Sequence, residues 1–330
     1  MTPKISVIIP VYNGEHFIGK AIRSVLAQEY PAHEIIVVDD GSKDGTPDLL
    51  EGFKDKVIVI RKENKGAAQA RNAGILLSTG DYVAFLDADD EWFRHRLKKN
   101  VEYILKFPEI GFFCSNYVTR FSQLGRRLVR HYSVIPERRL LNYNEPLKRN
   151  PFKLLLGGNF AGTPSAVIVK KRLAEAGGLF RDNYRIVEDL GFFLEIATKT
   201  NFVIISDVLL YKRLHSANLS GQTLPMVLNH KTLIMDVMVS KKEYIESRHL
   251  TGDCARALAR LNYWLGTLYF EAGQRKKAFS IYLEGLRSAP GILNLCEFLY
   301  AVFRKLIRMA TGDILTSRKL NQHIFRKQKF

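Results

Sequence analysis

Residues 81–90 read DYVAFLDADD. An apolar run, Tyr82 to Leu86, passes directly into Asp87, Asp89 and Asp90. Carboxylates repel one another and lose hydration at the edge of an apolar core. Three of them at the end of a buried strand are not there for packing. They mark a strand that delivers negative charge into a cleft, where a cation or a ligand must meet it.

The stretches before it repeat the same arrangement. ISVIIPV (5–11) is apolar and rich in β-branched residues, the pattern of a strand buried on both faces of a parallel sheet. Residues 16–29 place Phe17, Ile18, Ala21, Ile22, Val25 and Leu26 at helical spacing. EIIVVD (34–39) is a second buried strand, GSKDGT a turn, Pro47–Phe53 a short helix and KVIVIRK (56–62) a third strand. A helix over Gly66–Leu77 carries alanine at 67, 68, 70 and 73, which suits close packing. Strand and helix alternate four times within the first 90 residues, the pattern of a doubly wound α/β sheet, whose ligands sit at the carboxyl ends of the strands.

Beyond Asp90, the pattern predicts a helix over Arg94–Phe107 and strands over 111–121 and 201–215. It predicts a basic irregular stretch over 122–150 and a helix over 187–200. After about residue 222 only helices follow, so a sheet domain over 1–221 and a helical region over 222–330 are expected. Within the second, Leu265, Gly266, Tyr269, Ala278, Tyr282 and Pro290 fall at offsets resembling one tetratricopeptide repeat, a helical hairpin over about 255–290. Residues 292–309 form an amphipathic pattern leading into a basic tail that reaches Phe330.

Bulk properties narrow the function. The net charge is +17, and residues 221–330 supply +10 of it, from 18 Lys/Arg against 8 Asp/Glu. Such a tail points to an anionic surface, with a membrane as the expected partner and no nucleic acid. The three cysteines are widely spaced, without a CxxC, which fits a reducing compartment and neither a zinc site nor a disulfide framework. No apolar run reaches the roughly 18 residues of a membrane span, and the N-terminal run is too short for a signal peptide. The expected location is cytoplasmic, peripheral on the inner membrane face.

Each strand ends in a polar signature: PVYNGE (10–15), VDDGS (38–42), QARNAG (69–74) on the following helix, and LDADD (86–90). All should converge on one sheet edge. There a divalent cation with a nucleoside diphosphate needs hard oxygen ligands. Asp89 can supply one, with the diphosphate supplying others. Asp87 can meet a ribose hydroxyl, Asp40 a pyrimidine N–H, Tyr12 the base by stacking, and Arg71 the phosphate charge. No GxGxxG follows the first strand and no GxxxxGK[ST] occurs, which argues against a dinucleotide oxidoreductase and a P-loop NTPase. A nucleotidyltransferase, or a binding protein using the helical basic region, remains an alternative.

Four stretches together, PVYNGEHFIGKAIRSVLAQEY, EIIVVDDGSKDGT, NKGAAQARNAGILLSTGDYVAFLDADD and EDLGFFLEIA, resemble the family 2 glycosyltransferases of GT-A fold, from about Ile5 to Ser220. The resemblance implies an inverting transfer of a sugar from a nucleotide-sugar donor, usually UDP-linked, with Mn²⁺ or Mg²⁺, to a glycan or lipid-linked acceptor. It implies nucleotide-sugar contacts at Pro10, Val11, Tyr12, Glu15, Asp40, Arg71, Asp87 and Ala88. It also implies a metal ligand at Asp89, and a general base at Asp189 within the Glu188-Asp189 pair. Arg213-Leu214-His215 resembles the family's R-x-H element, placing Arg213 at the diphosphate and His215 at the diphosphate or the metal. Plainer readings stand beside several of these. Asp39 fits a turn cap, Asp90 the start of the next helix, Glu188 a helix cap and Trp92 a core position. Gly157-Gly158-Asn159, ahead of Thr163-Pro164-Ser165, reads as an acceptor-side loop. Asp189, at a helix N-terminus, is expected to have a lowered pKa.

Overall fold

The computed structural model describes residues 2–121, 128–131, 136–177, 179–184, 186–214, 223–289, 291, 295, 298 and 299. Two compact units divide the chain, Met1–Gln222 and Thr223–Phe330.

In the first unit, β1 (Ile5–Val11) is buried along its whole length. It lies between β2 (Glu34–Asp39) and β4 (Tyr82–Phe85), both parallel to it, with Val7 opposite Ile35 and Ala84. Ile5, Val7, Ile9 and Val11 turn to one face and share a core with Ile18, Ala21, Ile22 and Val25 of α1 (Ile18–Leu26). Ile8 turns to the other face and meets Gly74 of α3 (Ala67–Leu77) so closely that a Cβ there would lie 2.4 Å from Ile8 Cγ2. Both faces of the strand are therefore covered, as its uniform apolar sequence requires. β3 (Ile58–Arg61) closes the sheet edge beside β2, and α2 (Thr46–Glu51) leads into it.

The sheet order is β3-β2-β1-β4-β8-β6-β9-β5, with β7 on the flank of β6. β8 (Val167–Lys170) runs antiparallel between β4 and β6 (Phe112–Phe121), so the sheet is mixed beyond its parallel first half. β6 runs parallel to the long β9 (Phe202–Leu214). A register shift around Asn116 bulges β6, and the Asn116 side chain occupies the irregularity: Nδ2 donates to Ser206 O at 3.3 Å. α4 (Arg96–Lys106), α5 (Pro151–Gly157), α6 (Lys171–Ala176) and α7 (Glu188–Ala197) complete the unit.

Two expectations change here. Among the described residues of the stretch expected to be irregular over 122–150, Leu128–Arg130 form β7 on β6 and Pro136–Leu140 form a 3-10 turn. Asp90 does not start a helix. Glu91–Trp92 form β5 against β9, and α4 begins only at Arg96. Trp92 is a core residue, its Nε1 donating to Ser165 O at 3.1 Å.

The second unit holds α8 (Thr223–Ser240), α9 (Lys242–Ser247), α10 (Thr251–Glu271) and α11 (Arg275–Ser288). α10 and α11 form a hairpin in which glycines sit under tyrosine rings. A Cβ on Gly266 would lie 2.6 Å from Tyr282, and one on Gly285 2.6 Å from Tyr263. No helix among the described residues is long and apolar enough to cross a membrane. The basic tail expected over 291–330 lies outside the described residues apart from four positions, as does His215.

Candidate active site

β1, β2 and β4 are parallel, so their C-terminal ends open on one edge of the sheet, and the loops there are bonded to each other. Asn13 N–H donates to Ser42 Oγ (2.9 Å), Lys43 N–H to Asn13 Oδ1 (2.9 Å) and Gly14 N–H to Thr46 Oγ1 (2.9 Å). Asn13 adopts φ 49°, a left-handed conformation that asparagine tolerates. Glu15 Oε2 accepts the Gly45 N–H at 2.6 Å, so this carboxylate braces the loop. Asp39 Oδ1 accepts the Ser42 N–H at 2.9 Å, the turn-capping role. Pro10 and Val11 are buried at the strand end, Ala88 packs against the core, and Tyr12 stands 48% exposed at the rim.

Asp40 is buried and ties β2 to the residues before α3. Oδ1 accepts from Lys62 Nζ and from Lys65 N–H (3.0 Å), and Oδ2 from Gly66 N–H (2.7 Å). Three donors leave this carboxylate with room for one more. An open pocket of about 450 Å³ adjoins it, lined by Asn64, Lys65, Gly66, Ala67, Ala68, Asp182 and Glu188.

Arg71, on α3, is 4% exposed and already committed. Nη2 meets Asp87 Oδ1 at 2.6 Å, Nη1 meets Glu188 Oε1 at 3.2 Å, and the guanidinium lies 5.3 Å from the Phe180 ring. The next residue, Asn72, clasps Phe180 through two 2.8 Å bonds to its backbone. Burial disfavours the Arg71 charge, but Asp87 and Glu188 outweigh it and hold the pKa above its ordinary value. Burial likewise pushes the Asp87 carboxyl up, and Arg71 and Lys212 bring it below the usual carboxylate range. The guanidinium is thus the bridge between the β4 acids and α7 rather than a free phosphate contact.

The remaining acids differ. Asp90 is buried; its Oδ1 accepts the Arg213 N–H at 3.1 Å, and its Oδ2 has no hydrogen-bond partner among the described residues. Burial pushes its pKa up to about 7, against the pull of Lys212. Lys212 Nζ donates to Thr163 Oγ1 at 3.2 Å, and Thr163 Oγ1 donates to Asp87 Oδ2 at 3.3 Å. Burial works against the ammonium, but Asp90 and Asp87 raise its pKa overall. Arg213 pairs with Glu91 at 2.7 Å and lies 5.5 Å from the Phe17 ring.

On α7, Glu188 is not a cap: Val187 holds the N-cap position, and Glu188 faces Arg71. Asp189 departs from expectation. Its Oδ1 does accept the Leu190 N–H at 2.7 Å, yet burial first and Glu188 second push its pKa up to about 7. Desolvation outweighs the helix terminus here. A carboxylate with a pKa near neutrality suits a general base better than a strongly acidic one. Asn159, from the glycine-rich loop, donates to Asp189 Oδ2 at 3.2 Å.

Among the described residues no three Asp, Glu, His or Cys side chains are grouped to hold a metal ion on their own. The β4 end nevertheless fits a hard divalent cation. Asp89 and Asp90 offer carboxylate oxygens, and the buried Asp90 Oδ2 is unpartnered among the described residues. The other ligands fall to the substrate and water.

Sequence reasoning overlooked Lys212 and Tyr117. The signal for Lys212 was a single cation two residues after buried Leu210, on one face of an otherwise apolar strand. Tyr117 follows the bulge, which periodicity does not show.

A mixed α/β sheet with acids at its parallel strand ends, followed by a helical region, defines a GT-A-like architecture. The most similar solved structures include Staphylococcus aureus TarS residues 1–349 in complex with UDP-GlcNAc. It has a TM-score of 0.58 at 17% identity, covering 87% of this chain and 92% of that one. Another is the mannosyltransferase PcManGT from Pyrobaculum calidifontis with GDP-Man and Mn²⁺, TM-score 0.57 at 18% identity, covering 93% and 88%. The description "Glycosyl transferase family 2" matches residues 6–175, and the chain belongs to that family; it is a glycosyltransferase. An uncharacterized glycosyltransferase of Rickettsia prowazekii is 28% identical over 234 residues, 70% of each chain. The putative teichuronic acid biosynthesis glycosyltransferase TuaG of Bacillus subtilis is 43% identical over 108 residues, 32% of this chain and 43% of its own. The UDP-Glc:alpha-D-GlcNAc-diphosphoundecaprenol beta-1,3-glucosyltransferase WfgD of Escherichia coli is 36% identical over 148 residues, 44% of this chain and 55% of its own.

Proposed function

We propose that this glycosyltransferase moves a sugar from a UDP-linked donor to a hydroxyl of a glycan or lipid-linked acceptor, with inversion, in cell-surface polysaccharide synthesis. The observation that carries the reading is the Asp87–Arg71–Glu188 bridge. It sets the acids of the β4 end beside Asp189, whose carboxyl has a pKa near 7. An inverting displacement needs a base for the acceptor and a charge-stabilising site for the leaving diphosphate, and these two groups are its candidates.

In the step proposed, Asp189 takes the acceptor hydroxyl proton and the acceptor oxygen bonds to the anomeric carbon. The carbon–oxygen bond to the diphosphate breaks, and its electron pair leaves with UDP. Asp89 and Asp90 would hold a Mn²⁺ or Mg²⁺, with His215 as a further ligand; bound there, it would neutralise charge developing on the diphosphate. Lys212 and Arg213 stand at the same edge as additional cations. Asp40 has capacity for one base N–H, and Tyr12 offers its ring to the base. Residues 1–221 form the transferase domain in this reading. The hairpin over about 255–290 is a tetratricopeptide-like appendage, and the basic tail rests on the cytoplasmic face of a membrane. The names of TuaG and WfgD and the UDP-sugar bound to TarS support the donor and acceptor classes.

The test is a screen of UDP- and GDP-sugars with Mn²⁺, reading released nucleotide. We expect UDP release that stops on chelation and returns with Mn²⁺. Asp89→Ala should lower it by about 10²-fold or more without moving the melting temperature. Release of GDP alone would replace the donor class. Full activity in Asp89→Ala would remove the metal assignment.

A further inference from the structure

The base Asp189 is held at both oxygens. Its own helix supplies the Leu190 N–H to Oδ1, and Asn159, 30 residues earlier, supplies Nδ2–H to Oδ2 at 3.2 Å. Asn159 also closes a short turn over residues 159–162. Oδ1 accepts the Gly162 N–H at 3.0 Å, and Nδ2 donates to Gly162 O at 3.1 Å. One amide thus clips a four-residue turn shut and fastens it to the base.

The far end of the turn is fixed by shape. Gly162 has φ +84°, and a Cβ there would lie 2.6 Å from Tyr117 Cε1, 2.8 Å from the Tyr117 hydroxyl and 3.1 Å from His131 Nε2. Only glycine fits this conformation and this space. Tyr117 and His131 stack with centroids 4.4 Å apart and planes 10° from parallel. His131 Nε2 donates to Phe160 O at 3.0 Å, and burial pushes its pKa down to about 4, so the ring is neutral at ordinary pH. The Asn116 bulge turns Tyr117 toward this turn, the use to which bulges beside active sites are put.

We propose that the 159–162 turn is a clip that aims Asp189 at the acceptor hydroxyl, with Asn159 as the positioning residue and the Tyr117–His131 stack as its backing. The proposal rests on Asp189 being the base. The charged and titratable groups facing Asp189 are Glu188 beside it, Arg71 from α3, Lys212 from β9 and Tyr117 from β6. Asn159 adds a neutral donor to that set. Such a donor favours the ionised form of the carboxylate as well as fixing its direction.

The experiment uses the full chain, Mn²⁺ and the nucleotide sugar found in the screen, UDP-glucose first, with water as the acceptor and released UDP as the readout. Asn159→Ala should lower kcat by about ten- to a hundredfold and move the acid limb of the pH–rate profile up by about one pH unit. The donor KM should stay within about twofold, since the clip acts on the base and not on the nucleotide. Asn159→Ser, which keeps a hydroxyl for the turn but cannot reach Asp189, should behave alike and stands in if the alanine variant melts low. Asp189→Asn separates the two claims. If it keeps full kcat, the base assignment itself is wrong. If it is inactive while Asn159→Ala keeps the wild-type kcat and acid limb, only the clip is overturned. Loss of UDP binding in both Asn159 variants also overturns the clip, because the turn would then be holding the donor side.

Discussion

On one side of the cleft, β1, β2 and β4 end in loops that bond to each other, and nearly every partner lies within the first 90 residues: Asn13 with Ser42, Glu15 with Gly45, Asp40 with Lys65 and Gly66. On the other side, Tyr117, Asn159 and Thr163, Asp189, and Lys212 arrive from four separate segments and meet through contacts such as Lys212 to Thr163, 49 residues apart. The first side is a set of neighbouring strand–loop–helix units that satisfy one another. The second is assembled only when the antiparallel β8 and the long β9 join the sheet. Arg71 has an ion-pair partner on each side, Asp87 at the β4 end and Glu188 on α7.

Breaking that shared residue should have the largest effect. Arg71→Ala leaves two partly buried carboxylates without the guanidinium they share, and unfolding in urea should show a loss of about 3–5 kcal/mol. A loss below about 1 kcal/mol would mean the bridge is ornamental. A substitution confined to the first side should cost less. Gly74→Ala drives a methyl to within 2.4 Å of Ile8 Cγ2. It should destabilise by about 1–3 kcal/mol and leave the kcat of UDP release unchanged, since the strain lies in helix-on-strand packing.

The smallest effect is a pH dependence confined to the second side. The Asp189 pKa is raised to about 7 in the folded chain. The stability contributed by the neutral carboxyl is fully present below the ordinary carboxylate range and is lost as pH rises through about 7. Asp189→Asn should therefore melt with the wild type at acid pH and above it at pH 8. Equal melting at both pH values would contradict the buried-carboxylate account.

The first side was legible because its signals are local. Apolar runs of five to seven residues and acids at strand ends lie contiguous in the sequence, and β1, β2, α3 and β4 fall close to where pattern places them. The second side was legible only in pieces. The Glu188-Asp189 pair and the 157–165 loop stand out as motifs, but nothing in either says that Asn159 reaches Asp189. Tyr117 is aimed by a bulge that alternation cannot reveal, and Lys212 acquires its meaning from acids more than 120 residues earlier. Asp90 was misread because an acid just ahead of Trp92 looks like a cap, whereas the pairing of Glu91–Trp92 with β9 makes a strand there. The raised Asp189 pKa also escaped sequence reasoning, since a helix terminus is visible in a sequence and desolvation is not.

The central claim is that one carboxylate on α7 takes the acceptor proton, and the pH–rate profile of UDP release by wild type and Asp189→Asn tests it most directly. The account predicts a wild-type rate rising through an acid limb near pH 7 and a variant slower by about 10²–10⁴-fold at every pH, with donor KM little changed. A variant with wild-type kcat, or a rate loss carried entirely by donor KM, would contradict it.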